Sequence, residues 1–180
     1  DATTTAGDII IGGSSSSDEL SLSGTVDKAL ANFTNVTEVE VLRTATGDDT
    51  LDMIAATPAT ATDFTTITMG SGDDTLSINQ NIDWSGKTLD GGANTVVGDT
   101  LVVTGDVDLS ATSITNFETI NAADLRLTVA QADGATLNVT NTLSIIGNDS
   151  DNAMDAANIT ATTIEFTDGM TLDTTVTSLQ

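Results

Sequence analysis

The sequence predicts an all-β fold, a right-handed parallel β-solenoid with coils of about 25 residues, over a single domain spanning residues 1–180. Three observations lead there. Short β-branched or alternating runs fill the chain, separated by Gly, Asp, Asn and Ser clusters. Helix evidence is thin, because the weak helix formers Thr, Asp, Gly, Ser and Asn are abundant. A motif recurs: Gly47-Asp48-Asp49-Thr50-Leu51 returns 25 residues on as Gly72-Asp73-Asp74-Thr75-Leu76, and Gly98-Asp99-Thr100-Leu101 follows 26 after that. A fixed period of this length suits one supersecondary unit that buries its apolar face against the next copy. An antiparallel β-sandwich is the alternative, since the period loosens after residue 105.

The expected strands are residues 9–11, 20–22, 36–42, 64–69, 75–78, 100–103, 117–120, 125–129, 135–139, 143–146, 162–166 and 170–176. About seven coils fit. The best helical candidate is the short stretch 24–33, GTVDKALANF. Residues 14–17, SSSS, read as a loop, and 56–62, ATPATAT, as a linker holding the only Pro. A second beat places Asn or Asp before Phe and a Thr/Glu-Ile strand, in Asp63-Phe64-Thr65-Thr66-Ile67 and Asn116-Phe117-Glu118-Thr119-Ile120, with Asn32-Phe33 opening a similar segment. Phe33, Phe64 and Phe117 read as stacked core residues and Trp84 as a packed rim residue.

Composition bounds the function. Apolar residues are 38% and aromatics 3%, so the core must be aliphatic. Asp and Glu number 27 against 4 Lys and Arg, a net charge of −23. Such a charge repels itself in a compact state, and four cations cannot neutralise it. Divalent cations are the expected counterions. Nucleic acid is an unsuitable partner, because phosphate contacts need Lys and Arg, and anionic membrane surfaces are disfavoured for the same reason. No run approaches a membrane span. There is no Cys, hence no disulfide or thiolate chemistry. No His, Tyr or nucleophile elbow is present and aromatics to hold sugar rings are nearly absent, so no enzyme is expected.

The chemistry sits in the repeated loop. Gly70-Ser71-Gly72-Asp73-Asp74-Thr75-Leu76-Ser77 matches the later part of the G-G-x-G-x-D-x-U-x nonapeptide. Glycines turn the backbone and expose carbonyl oxygens, Asp adds a carboxylate, and oxygen-only ligands suit Ca²⁺. Adjacent acids, Asp73 with Asp74 and Asp48 with Asp49, cannot both face one ion, so one of each pair should face solvent. The plainer reading of the loop is a Gly-Asp turn in which Asp caps backbone amides.

With this loop, the segment Leu89-Asp90-Gly91-Gly92-Ala93-Asn94 through Gly98-Asp99-Thr100-Leu101-Val102-Val103, followed by Asn116-Phe117-Glu118-Thr119-Ile120, resembles the secreted RTX and S-layer-type β-solenoid proteins of Gram-negative bacteria. The resemblance implies type I secretion, an extracellular or cell-surface location, calcium binding, and self-assembly into surface layers or filaments. Carried over by position, Gly70, Gly72 and Asp74 match the motif best, with Asp49 and Asp99 at the carboxylate position of the other copies. Asp48, Asp73 and Asp90 complete the candidate ligands. No two nonapeptides run in tandem, and Val96 and Val97 interrupt the third copy. The resulting expectation is a calcium-stabilised structural protein that assembles with itself. The alternative is a calcium-dependent adhesin module of a larger secreted protein, holding a cell-surface polysaccharide.

Overall fold

A computed structural model describes residues 9–55, 63–133, 135–147 and 158–167. The strands, in chain order, are β1 (Ile10–Ile11), β2 (Glu19–Ser21), β3 (Asp27–Ala29), β4 (Val36–Thr37), β5 (Val41–Arg43), β6 (Thr50–Met53), β7 (Thr66–Thr68), β8 (Thr75–Asn79), β9 (Thr88–Asp90), β10 (Thr100–Asp108), β11 (Ser113–Thr115), β12 (Thr119–Thr128), β13 (Thr136–Ile146) and β14 (Ile159–Thr167). One short helix, α1 (Val129–Ala132), follows β12. Every strand pairing among the described residues is parallel. The chain is therefore a parallel β-solenoid of about 6 turns.

Two sheets carry the coils. A seven-stranded sheet has the order β14-β13-β12-β10-β8-β6-β3, and a five-stranded sheet the order β11-β9-β7-β5-β2. β1 and β4 make a separate pair. In the middle coils the chain leaves the five-stranded sheet, rounds a corner and enters the seven-stranded one: β5 to β6, β7 to β8, β9 to β10.

The alternation of side chains across each strand explains why these segments stack. In the large sheet the inward position is Leu51, Leu76, Leu101, Ile120, Leu137 and Ile159 on successive coils, all buried. A second inward column is Met53, Ile78, Val103, Ala122 and Val139. The smaller sheet contributes Leu20, Leu42, Ile67 and Leu89. Phe33 and Phe64 meet edge to face at 5.7 Å, and Phe117 is 9% exposed, so all three lie in the core as expected. Trp84 goes deeper than a rim position. It is 2% exposed and its indole N–H donates to the Asn79 carbonyl at 2.9 Å.

The period is not uniform. Steps along the leucine column are 25, 25, 19, 17 and 22 residues, and the average coil is about 22 residues rather than 25. The shortening has a structural cause. The five-stranded sheet stops at β11, and β12, β13 and β14 are long strands of 10, 11 and 9 residues whose pairings shift register partway along. Each pair of runs expected at 117–120 with 125–129, and at 135–139 with 143–146, is thus one bulged strand. α1 follows β12, and Gln131 donates to the carbonyls of Leu109 and Thr112 at 2.8 and 2.7 Å.

The expected helix at 24–33 is instead β3 followed by a 3-10 turn at Leu30–Phe33, because pairing with β6 captures Asp27–Ala29. The expected linker 56–62 and strand 170–176 lie outside the described residues.

Leu76 is fully buried in the centre of the longest inward column. Leu76→Ala should lower stability by about 2–5 kcal/mol through lost burial and a cavity. Urea unfolding followed by the fluorescence of buried Trp84 measures it, and a loss well under about 1 kcal/mol would show that the column is loosely packed.

Candidate metal centre

The repeated loop is the corner between the two sheets. Residues 44–49, 69–74 and 91–99 form it on successive coils, and the corners are themselves hydrogen-bonded. Ser71 N–H donates to the Ala45 carbonyl, Gly47 N–H to Ser71, Gly72 N–H to Ala93, and Ala93 N–H to Gly70, all at 2.8–2.9 Å. This packing requires glycine at position 70. Its φ is +43°, and a Cβ there would sit 1.7 Å from the Ala45 carbonyl oxygen. The Gly70 carbonyl is occupied by the Ala93 amide.

Each corner ends in an acid whose side chain turns inward. Asp49 and Asp74 are 1% exposed and Asp99 is fully buried. Each carboxylate reaches back one coil. Val26 N–H donates to Asp49 Oδ1 at 2.6 Å, Asp49 N–H to Asp74 Oδ1 at 2.7 Å, and Asp74 N–H to Asp99 Oδ1 at 2.7 Å. Glu118 continues the row, with its Oε2 accepting from Asp99 N–H at 2.7 Å. The other oxygen, Oδ2, of Asp49, Asp74 and Asp99 is buried with no hydrogen-bond partner. Thr44 Oγ1, at the start of the first of these corners, is buried and unpartnered as well.

A buried carboxylate with one unsatisfied oxygen is unfavourable, and like charges on adjacent coils add to it. Burial is the main cause that pushes the Asp74 carboxyl up to about 6, with the charges of Asp49 and Asp99 adding to it. Burial, then the neighbouring Glu118, Asp73 and Asp90, raises that of Asp99. Desolvation outweighs the amide hydrogen bond that each accepts.

The outer acids of the pairs are placed differently. Asp48 is exposed and Asp73 half-exposed, as the adjacency argument requires. They reach forward rather than back. Asp48 Oδ1 accepts the Asp73 amide at 3.0 Å. Asp73 receives the amides of Thr95, Val96, Val97 and Gly98 and the Thr95 hydroxyl, at 3.0–3.2 Å. This amide nest holds its carboxyl well below the usual range, led by the Val96 amide. It also clamps the loop that carries the exposed Val96 and Val97. Asp90 Oδ1 takes Gly92 N–H at 3.2 Å and the Asn116 side-chain amide at 2.7 Å. So of the eight candidate residues, Asp49, Asp74 and Asp99 share one buried column with free acceptor atoms. Asp48, Asp73 and Asp90 serve as turn and loop caps. Gly70 and Gly72 shape the corner.

Glu118 and Thr44 were not anticipated. By sequence Glu118 belongs to the phenylalanine beat, yet register aligns the following Thr119 with Thr100. The signal was the triplet of acid, Thr and aliphatic residue, Asp49-Thr50-Leu51, Asp74-Thr75-Leu76, Asp99-Thr100-Leu101 and Glu118-Thr119-Ile120. The Phe beat is not one structural position, since Thr66 and Ile67 lie in the smaller sheet and Thr119 and Ile120 in the larger. Among the described residues, no group of three or more acidic side chains is arranged so that it could hold a metal ion. Elsewhere, the register shifts of the long strands leave an outward groove of about 250 Å³ lined by Asp106, Asp124, Arg126, Thr142, Ser144 and Glu165. No helix among the described residues is long and apolar enough to cross a membrane.

The chain matches no family profile, and no curated protein or solved structure is significantly similar to it.

The raised carboxyl of Asp74 sets a pH dependence for the cation-free protein. The folded state holds that proton more tightly than the unfolded chain, whose Asp titrates near ~3.9. Its contribution to stability is therefore greatest at low pH and is lost as pH rises through about 6. Asp73 acts in the opposite sense: its stabilisation is present above the unfolded value and lost as acid protonates it. In chelator, the melting temperature of wild type should fall from about pH 4 to about pH 6 more steeply than that of Asp74→Asn. Thermal melts followed by circular dichroism test this, and equal slopes would show that Asp74 is not the titrating group.

Proposed function

We propose that this chain is a structural protein, an extracellular β-solenoid stabilised by calcium that assembles with itself into a surface layer or filament. The observation that carries the reading is the column of three buried carboxylates with unpartnered oxygens in a chain of net charge −23. Among the described residues the charged partners are few and lie at the surface. Arg43 pairs with Glu19 and Arg126 with Asp108, each at 3.3 Å, while Lys87 donates to the Phe64 carbonyl. None of these reaches the column. A hard cation offered by the surroundings would neutralise it with oxygen ligands alone. Calcium modules outside cells work at roughly 10⁻⁴–10⁻³ M, which fits an extracellular site.

The open ends of the large sheet support the assembly reading. β3 and β14 are the terminal strands of the large sheet among the described residues, and a strand edge is a template for a further strand. Addition of another copy end to end would continue the same ladders.

The adhesin-module reading has its own support in the groove over β10, β12, β13 and β14. Its carboxylates, hydroxyls and one guanidinium suit a polyhydroxylated ligand such as a cell-surface polysaccharide.

Calcium titrated into chelator-treated protein, followed by circular dichroism and light scattering together, separates the readings. The structural reading expects the β signal and the particle size to rise over roughly 10⁻⁴–10⁻³ M. A rise in β signal alone favours the adhesin module. No change well above that range would sink the calcium assignment.

A further inference from the structure

We propose that two copies of the chain join tail to tail, β14 of one pairing antiparallel with β14 of the other about a two-fold axis, so that their two large sheets merge into one. This rests on the self-assembly reading above and fixes which end meets which.

The two terminal strands of the large sheet are unlike. β3 has three residues and runs straight into the 3-10 turn Leu30–Phe33. It also breaks the aliphatic column, because Lys28 stands in register with Leu51 where every later coil carries Leu or Ile. A short edge strand with a charge in the inward register resists the addition of another strand. β14 has nine residues, no Lys, Gly or Pro, and one charge, Glu165. At about 3.3 Å per residue it presents an edge of roughly 30 Å.

The core is also less well covered at this end. Leu143 and Ile145 of β13 are fully buried, while Ile164 and Phe166, in register with them on β14, are only half-buried. Ala161, in register with buried Val139, is half-buried too. A second copy stacked on β14 would complete their burial, which is favourable for apolar surface.

The register of β14 is self-complementary. Its inward residues are Ile159, Ala161, Ile164 and Phe166, because the register shift against β13 interrupts the alternation and leaves Thr162 and Thr163 both exposed. A two-fold axis between Thr162 and Thr163 sets Ile159 against Phe166 and Ala161 against Ile164 on the core side. On the outer side it sets Thr160 against Glu165. A slip of one residue would put apolar positions against outer ones. The two Glu165 side chains then lie five positions apart along the strands, roughly 17 Å, beyond the screening length of about 10 Å in 0.1 M salt. Head-to-tail addition has no such match: nine residues would face three, and Lys28 would abut the apolar row of β14.

Crosslinking of full-length chains tests the proposal. The sequence has no Cys, so an introduced thiol is unique. Thr162 of one copy stands opposite Thr163 of the other, and directly opposed antiparallel residues sit about 4.5–5.5 Å apart, within disulfide reach. A mixture of Thr162→Cys and Thr163→Cys chains should therefore oxidise to a mixed dimer faster than either variant alone. Wild type in sedimentation equilibrium should form a dimer that tightens with added NaCl, because each copy carries a charge of −23. Thr162→Lys, a charge at the centre of the edge, should return it to monomer, and Ala29→Lys on β3 should not. Circular dichroism checks that each variant keeps the fold. No mixed crosslink, with assembly blocked by Ala29→Lys instead, overturns the proposal and leaves self-assembly standing. A monomer at every protein concentration overturns both. A crosslinked dimer that grows no larger upholds the tail-to-tail pairing and sinks the layer or filament.

Discussion

Parallel stacking places every residue one strand spacing from its counterpart on the next coil, so whatever a corner carries it carries as a column. This constraint organises the whole molecule. Leu51, Leu76 and Leu101 stack into an aliphatic core because they repeat in register. The acids before them stack for the same reason, and an arrangement that suits leucine is unfavourable for carboxylate. The fold meets part of that difficulty with the amide of the neighbouring coil, which each acid receives through one oxygen. The second oxygen is left over. The unpartnered carboxylate oxygens are thus a by-product of the architecture.

Two kinds of acid share each of the first two corners, and their difference is one of direction. Asp49 and Asp74 reach back one coil and inward, while Asp48 and Asp73 reach forward and outward. The forward acids find many donors; Asp73 alone satisfies four successive amides. The inward acids find one each. Asp73 and Asp74, adjacent and identical in type, therefore have opposite electrostatic characters, the first stabilised as an anion by its amide nest and the second penalised by burial. Turns of this kind lock one coil to the next, while the stacked inward columns of the two sheets remain apolar.

The end of the regular repeat changes the outer surface. Once the smaller sheet stops at β11, the chain spans each coil with one long bulged strand, and the outward groove forms along those register shifts. Bulges bend a strand and re-aim its side chains. The groove and the carboxylate column accordingly belong to different regions of the solenoid.

Much of this was legible in the chain. The exact repeat of Gly-Asp-Asp-Thr-Leu with its β-branched surroundings determined a stacked β fold, since only a coil of fixed length returns the same turn to the same place. It also implied that one acid of each pair would face solvent, because two adjacent carboxylates cannot both face one ion. The tertiary structure decided which acid that was, and that the second oxygen of the other would have no partner, because donors come from a different coil 23–25 residues away. It decided the fate of residues 27–29 as well, where pairing to β6 overrode a weak helical tendency. Glu118 escaped notice because its coil is only 19 residues long, and register, unlike period, is set by hydrogen bonds between strands rather than by distance along the sequence.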